Sequence, residues 1–145
     1  MSVDIKSETA YKRLKIKPQS CIGCLNCEKA CAYRHHGVFD RAYSRIHVAL
    51  GETEEGPHVP VVCLHCAEAA CAKVCPTGAN FIDAEKGVVQ HDAAKCIQCN
   101  LCVTACPFGN MLYIPRTKHE VQKCDLCDGE PFCAVFCPTD ALTWD

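Results

Sequence analysis

Apolar and polar positions along this chain alternate in short runs, none long enough for an extended helix or sheet. KRLKIK (12–17) alternates charged and apolar residues, the period-two pattern of a strand with one buried face. SRIHVAL (44–50) alternates in the same way and predicts a second strand. NFID-AEKG-VVQH (80–91) reads as a β-hairpin with Gly87 in its turn. MLYI (111–114) and ALTW (141–144) read as further short strands, and helical stretches are expected at EKACAYR (28–34) and VTACP (103–107). GETEEGPHVP (51–60) reads as a surface loop without regular structure. The longest apolar run, VPVVCL (59–64), is far too short to span a bilayer.

Composition sharpens the picture through one residue type. Leu, Ile, Val and Phe supply only 32 of 145 residues, or 22%, while cysteine supplies 16, or 11%. A chain so poor in large aliphatics needs crosslinks or metal to hold a fold. Its length allows one compact domain or two small lobes. A formal charge of −2 points to neither nucleic acid nor an anionic membrane. The start, MSVDIKSETAYKRLKIK, has no apolar h-region, and Lys12-Arg13 is not a twin-arginine signal. The expectation is therefore a cytoplasmic protein without membrane insertion, in which thiols stay reduced and metal outranks disulfides.

The sixteen cysteines fall into four groups of four. Cys21, Cys24, Cys27 and Cys31 form C-x2-C-x2-C-x3-C, and Cys96, Cys99, Cys102 and Cys106 repeat that spacing with a proline after the last. Cys63, Cys66, Cys71 and Cys75 form C-x2-C-x4-C-x3-C-P; Cys124, Cys127, Cys133 and Cys137 form C-x2-C-x5-C-x3-C-P. Three thiolates at two-residue spacing can each bind a different iron of one cubane. The fourth, three residues on, is turned away, and in bacterial-type ferredoxins it ligates the other cluster of a pair. Zinc knuckles use two C-x2-C pairs about 12–20 residues apart, with no place for a third ligand so close. The spacing therefore favours four [4Fe–4S] clusters over zinc or disulfides. Pro76, Pro107 and Pro138 should each stop a helical turn and aim the preceding cysteine. Ala32 replaces that proline, so the chain should leave the first group differently.

CPTGANFID (75–83) and CPTDALTWD (137–145) share Cys, Pro, Thr, Ala and Asp in register, and CPFGNMLYI (106–114) matches more loosely. This is an internal duplication. Short strands alternating with cysteine loops and short helices predict an α+β fold. The expected form is two pseudo-symmetric bacterial-ferredoxin-like βαββαβ modules around four cubane clusters.

The whole set of motifs, CIGCLNCEKAC (21–31), CLHCAEAACAKVCPTGA (63–79), CIQCNLCVTACPFG (96–109) and KCDLCDGEPFCAVFCPTDAL (123–142), resembles the four-cluster iron–sulfur subunits of molybdenum and tungsten oxidoreductases. Relatives of that kind serve dimethyl sulfoxide reductase, formate dehydrogenase and carbon monoxide dehydrogenase systems. The resemblance covers residues 12–145 and implies nested pairing. Cys21, Cys24 and Cys27 would share a cluster with Cys137. Cys63, Cys66 and Cys71 would join Cys106. Cys96, Cys99 and Cys102 would join Cys75, and Cys124, Cys127 and Cys133 would join Cys31. It further implies an outer module of 12–50 plus 111–145 and an inner module of 51–110. In trimmed length the chain is similar to the small electron-transfer subunit of bacterial tungsten aldehyde oxidoreductase complexes.

The function so implied is relay of single electrons, with no catalytic residue of the chain's own. The expected partner is a large tungsten- or molybdenum-cofactor subunit, with a flavin- or NAD-linked subunit or a ferredoxin as the other. A free polyferredoxin, an iron–sulfur regulatory or assembly protein, and self-association into filaments stay open. Each oxidised cubane with four thiolates carries roughly −2, which brings the loaded chain to about −10 and calls for basic docking surfaces on partners. Among other residues, His65 reads as a partly exposed loop histidine, although it could tune a cluster. His35-His36 lack the spacing of a Rieske site. Arg116, Lys118 and Lys123 read as a solvated basic face rather than a cluster-tuning group, and Tyr113 and Trp144 as core aromatics. No P-loop, G-x-G-x-x-G fingerprint, nucleophile elbow or radical-enzyme C-x3-C-x2-C triad is present.

Overall fold

Proline placement governs where the helices of this α+β chain stop. The computed structural model describes residues 14–115 and 121–144; Lys12, Arg13, Arg116 and Lys118 lie outside the described residues. Four helices carry cysteines: α1 (Asn26–His36), α2 (Ala70–Val74), α3 (Leu101–Ala105) and α4 (Phe132–Val135). α2 and α3 end just before a Cys-Pro pair, because proline disfavours helical backbone in the residue ahead of it. α4 ends one residue earlier, with Phe136 between it and Cys137-Pro138. Cys75 (ψ 115°) and Cys106 (ψ 116°) are accordingly extended. Ala32 imposes no such stop, and α1 continues past Cys31 to close at Gly37, whose φ of 71° lets its N–H reach Tyr33 O at 2.8 Å.

The strands are short and pair two by two. They are β1 (Leu14–Ile16), β2 (His47–Ala49), β3 (Val59–Val61), β4 (Asn80–Asp83), β5 (Val88–His91), β6 (Leu112–Tyr113), β7 (Val121–Gln122) and β8 (Leu142–Trp144). Four antiparallel ladders join β1 to β8, β2 to β3, β4 to β5, and β6 to β7. The β4–β5 hairpin lies where the sequence puts it. SRIHVAL is a strand only over His47–Ala49, and its partner β3 takes residues from the expected loop, pairing Pro60 with Val48. A two-stranded ladder is all edge, so it tolerates a proline that donates no hydrogen bond.

The described residues form two compact units. One lies within Arg13–Val62 and Leu126–Asp145, the other within Cys63–Asp125. In chain order the first carries β1, α1, β2, β3, α4 and β8, with α1 packed on α4; its core includes Ile46, Ala32, Ala141 and Leu142. The second carries α2, β4, β5, α3, β6 and β7, with α2 packed on α3. There Val121 and Met111 pack with Cys102, against which Cys71, Cys96 and Cys106 also rest. Cysteines thus occupy core positions that larger aliphatics would fill elsewhere. No helix among the described residues is long and apolar enough to cross a membrane.

Candidate metal centres

Each C-x2-C step bends through the same unusual backbone. The residue two places after the first cysteine has positive φ in all four groups: Gly23 (71°), His65 (49°), Gln98 (57°) and Leu126 (57°). Left-handed backbone here turns amide N–H groups inward, as in anion-binding nests. His65 N–H lies 3.4 Å from Cys63 Sγ, and Gln98 N–H lies 3.3 Å from Cys96 Sγ. Only Gly23 announces this in the sequence; the other three residue types give no such signal.

Within the Arg13–Val62 and Leu126–Asp145 unit, one pocket is lined by Cys21, Cys24, Cys27 and Cys137. Within the Cys63–Asp125 unit, another is lined by Cys96, Cys99, Cys102 and Cys75. Each joins three closely spaced cysteines with one remote cysteine, and neither has a carboxylate in its lining. A structural zinc site uses two C-x2-C pairs, whereas each pocket here draws three ligands from one short run and the fourth from a distant segment. Four soft sulfur donors, three from one run and one remote, fit an iron–sulfur cubane. In the second unit the thiols of Cys63 and Cys106 also act electrostatically on Cys71, and Cys66 follows Cys63 on the same loop. Cys31, Cys127 and Cys133 are buried in the first unit, while Cys124 belongs to the second.

Thiol acidities divide by position in the group. The third cysteines are pushed up: burial, then the Glu28 carboxylate, takes Cys27 to about 12, and burial raises Cys71 and Cys102. The remote cysteines that precede a proline are pulled down. Burial opposes this at Cys75, but the Asn80 N–H and then the Thr77 hydroxyl bring it to about 7. Cys106 and Cys137 shift the same way, against burial, through the N–H groups of the turns that follow them. Asn110 N–H lies 3.4 Å from Cys106 Sγ. The Cys-Pro turn therefore both aims the remote sulfur and favours its thiolate, the form that binds metal. In α1, burial raises Cys31, against which Arg45 N–H donates to its Sγ at 3.2 Å.

Three readings of neighbouring residues need correction. Lys123 is no solvated cation: it is 3% exposed, and Nζ donates to Val89 O and Cys124 O, each at 2.6 Å. His65 is buried rather than partly exposed, with Nδ1 accepting from Val89 N–H at 3.1 Å. Tyr113 is exposed, not a core aromatic, because its two-residue strand covers little; Trp144 is half-buried. Sequence reasoning missed Asn80, which is buried and donates to Cys71 O (3.3 Å) while its side-chain oxygen meets His91 Nδ1 (2.6 Å). It also missed Glu28, 2% exposed between Arg41 and the Val48 N–H. Asn80 has no signal beyond its place after CPTGA, and Glu28 reads as an ordinary helix-surface acid.

Comparison with known proteins agrees with this chemistry. A family described as "4Fe-4S dicluster domain" matches residues 55–145, and a second of the same description matches residues 20–80. The polyferredoxin-like subunit of aliphatic sulfonate oxidoreductase from Pyrococcus furiosus is 41% identical over 133 residues, covering 90% of this chain and 75% of the relative. The electron transport protein HydN of Escherichia coli is 40% identical, covering 84% of this chain and 81% of the relative. The beta subunit of NADH-dependent phenylglyoxylate dehydrogenase from Aromatoleum evansii is 39% identical over 92% of this chain, which spans only 30% of that protein's length. Among solved structures, the active site complex BamBC of benzoyl coenzyme A reductase with benzoyl-CoA aligns with a TM-score of 0.52 at 26% identity, covering 92% of this chain and 78% of that one.

Proposed function

We propose that this chain, which belongs to the 4Fe-4S dicluster domain family, is the electron relay of an oxidoreductase complex, passing single electrons between a catalytic subunit and a second redox partner. The observation that carries this reading is the pair of pockets in which one compact cysteine group meets one remote cysteine, four thiols in each lining. Cys21, Cys24, Cys27 and Cys137 would hold one cluster, and Cys96, Cys99, Cys102 and Cys75 another. Cys63, Cys66, Cys71 and Cys106 would hold a third, and Cys124, Cys127, Cys133 and Cys31 the fourth. The two-module βαββαβ architecture, with groups one and four outside and groups two and three inside, is part of the same proposal. A bound [4Fe–4S] cluster supplies reversible one-electron transfer.

The chain's own residues do the rest. Cysteines hold the metal as thiolates, and the turns after Cys75, Cys106 and Cys137 favour that form. Backbone N–H groups directed at the sulfurs stabilise negative charge and so help set the potential. The relatives named as subunits of larger oxidoreductases support a catalytic partner. A tungsten- or molybdenum-cofactor subunit, as in aldehyde oxidoreductase complexes, is the specific client proposed. HydN, named simply as an electron transport protein, favours a freely diffusing carrier as the second reading. Anaerobic iron and acid-labile sulfide analysis of native material, with any co-purifying chain, tests both. About sixteen of each per chain, beside a large tungsten- or molybdenum-containing subunit, is the expected result. The same clusters without a partner would favour the carrier, and zinc without sulfide would defeat the proposal.

A further inference from the structure

Lys123 occupies a place where a lysine is costly. A buried ammonium must be hydrogen-bonded to be tolerated, and Nζ spends two short bonds of 2.6 Å on the carbonyls of Val89 and Cys124. The segment leading to it is buried too. Val121 packs in the core with Cys102 and Met111, against which Cys71, Cys96 and Cys106 rest, and Gln122 is 6% exposed. Val89, which takes one of these bonds on its carbonyl, gives its N–H to His65 Nδ1 at 3.1 Å. His65 lies between Cys63 and Cys66, so the buried ammonium is tied through one residue to the loop that carries those two ligands. Its field reaches Cys71, where it favours the thiolate against burial.

Both carbonyl bonds pin the charge in place. A flexible surface lysine would be screened by solvent and salt; this one acts through a low-dielectric interior, where a charge counts for far more. A reduced cluster is one unit more negative than the oxidised one, so a fixed positive charge nearby stabilises the reduced state. Resting on the relay reading above, we propose that Lys123 is a positioning charge that raises the reduction potential of the cluster held by Cys63, Cys66, Cys71 and Cys106, making it a station where an electron dwells.

The test is an anaerobic redox titration followed by electron paramagnetic resonance on the complete, cluster-loaded protein, comparing the parent with Lys123→Gln and Lys123→Arg. Gln keeps a donor for the carbonyls but no charge; Arg keeps the charge. At a fixed potential the reduced-to-oxidised ratio of one cluster should fall about tenfold in Lys123→Gln, about 59 mV for a one-electron couple. The other clusters should stay in place, and Lys123→Arg should restore most of the shift. Full iron with unchanged potentials in Lys123→Gln would overturn the proposal and leave Lys123 a structural tie. Should Lys123→Gln lose iron, Lys123→Arg decides. Full loading at the parent potential supports the charge role, and loss of iron there too overturns it. A parent protein without sulfide or one-electron reduction would instead defeat the relay reading itself, so the two failures are distinguishable.

Discussion

The backbone N–H of Val89 donates to Nδ1 of His65 at 3.1 Å. Val89 is 1% exposed and pairs with Ile82 across the β4–β5 hairpin. Its N–H therefore points away from the ladder into protein, where it must find an acceptor. An accepting Nδ1 fixes the neutral imidazole with its proton on Nε2. His65 lies between Cys63 and Cys66, so the cysteine loop and the hairpin are tied by one bond.

Replacing His65 with alanine should leave that buried N–H without its acceptor and cost about 1–3 kcal/mol. Thermal unfolding of the loaded protein under anaerobic conditions measures this. An unchanged Tm would mean that water replaces the ring and that the tie contributes little.

Gly23 bears on the first cysteine group in a different way. Its φ is 71°, and a Cβ there would meet the His58 ring at 3.1 Å and Leu50 at 3.2 Å. Gly23→Ala should cost about 1–2 kcal/mol from the left-handed backbone alone, plus the adjustment of those two side chains. The readout is faster iron loss to a chelator from one cluster. Iron release at the parent rate would show that the loop relaxes without strain.

The spread of thiol acidities predicts which cysteine reacts first when iron is removed only in part, so that the remaining clusters still hold the fold. Cys75 is brought to about 7, whereas Cys27 is pushed up to about 12. At about pH 7.5 the first is mostly thiolate and the second almost wholly thiol. Brief iodoacetamide treatment, mapped by mass spectrometry, should therefore modify Cys75 well ahead of Cys27. The Cys75 rate should climb through about pH 7 as its proton leaves. Equal labelling of both would mean that the partly stripped chain no longer keeps the turns that set the difference.

The metal chemistry was legible in the sequence because ligand spacing is a local property. C-x2-C-x2-C needs no knowledge of the fold, and neither does the helix-stopping action of Pro76, Pro107 and Pro138. The hairpin was equally plain from its alternation and Gly87. What stayed hidden depends on contacts between distant segments. Val59 and Pro60 close the stretch read as a surface loop, GETEEGPHVP, yet with Val61 they pair with His47–Ala49. Lys123 and His65 look like surface residues until Val89 supplies a buried carbonyl and N–H for them. No single-residue property reveals such a match, since it exists only once the hairpin is folded.

Glu28 provides the counterpart to Lys123, in the other unit and with the opposite sign. It is 2% exposed; Oε1 accepts from Arg41 Nε at 2.8 Å, and Oε2 accepts from Val48 N–H at 2.7 Å. After burial, its charge is the next cause of the raised Cys27 thiol. A carboxylate beside Cys27 disfavours adding an electron to a cluster held by Cys21, Cys24, Cys27 and Cys137. Glu28→Gln removes the charge while its amide oxygen still accepts from Val48. That cluster should become easier to reduce, with its reduced-to-oxidised ratio at fixed potential rising by up to about tenfold, or about 59 mV. Arg41 is half exposed, so its compensation is screened by solvent. Arg41→Ala should therefore shift the same cluster in the opposite direction, and by less. A downward shift in Glu28→Gln, or movement of the cluster that responds to Lys123, would show that these buried charges do not act locally.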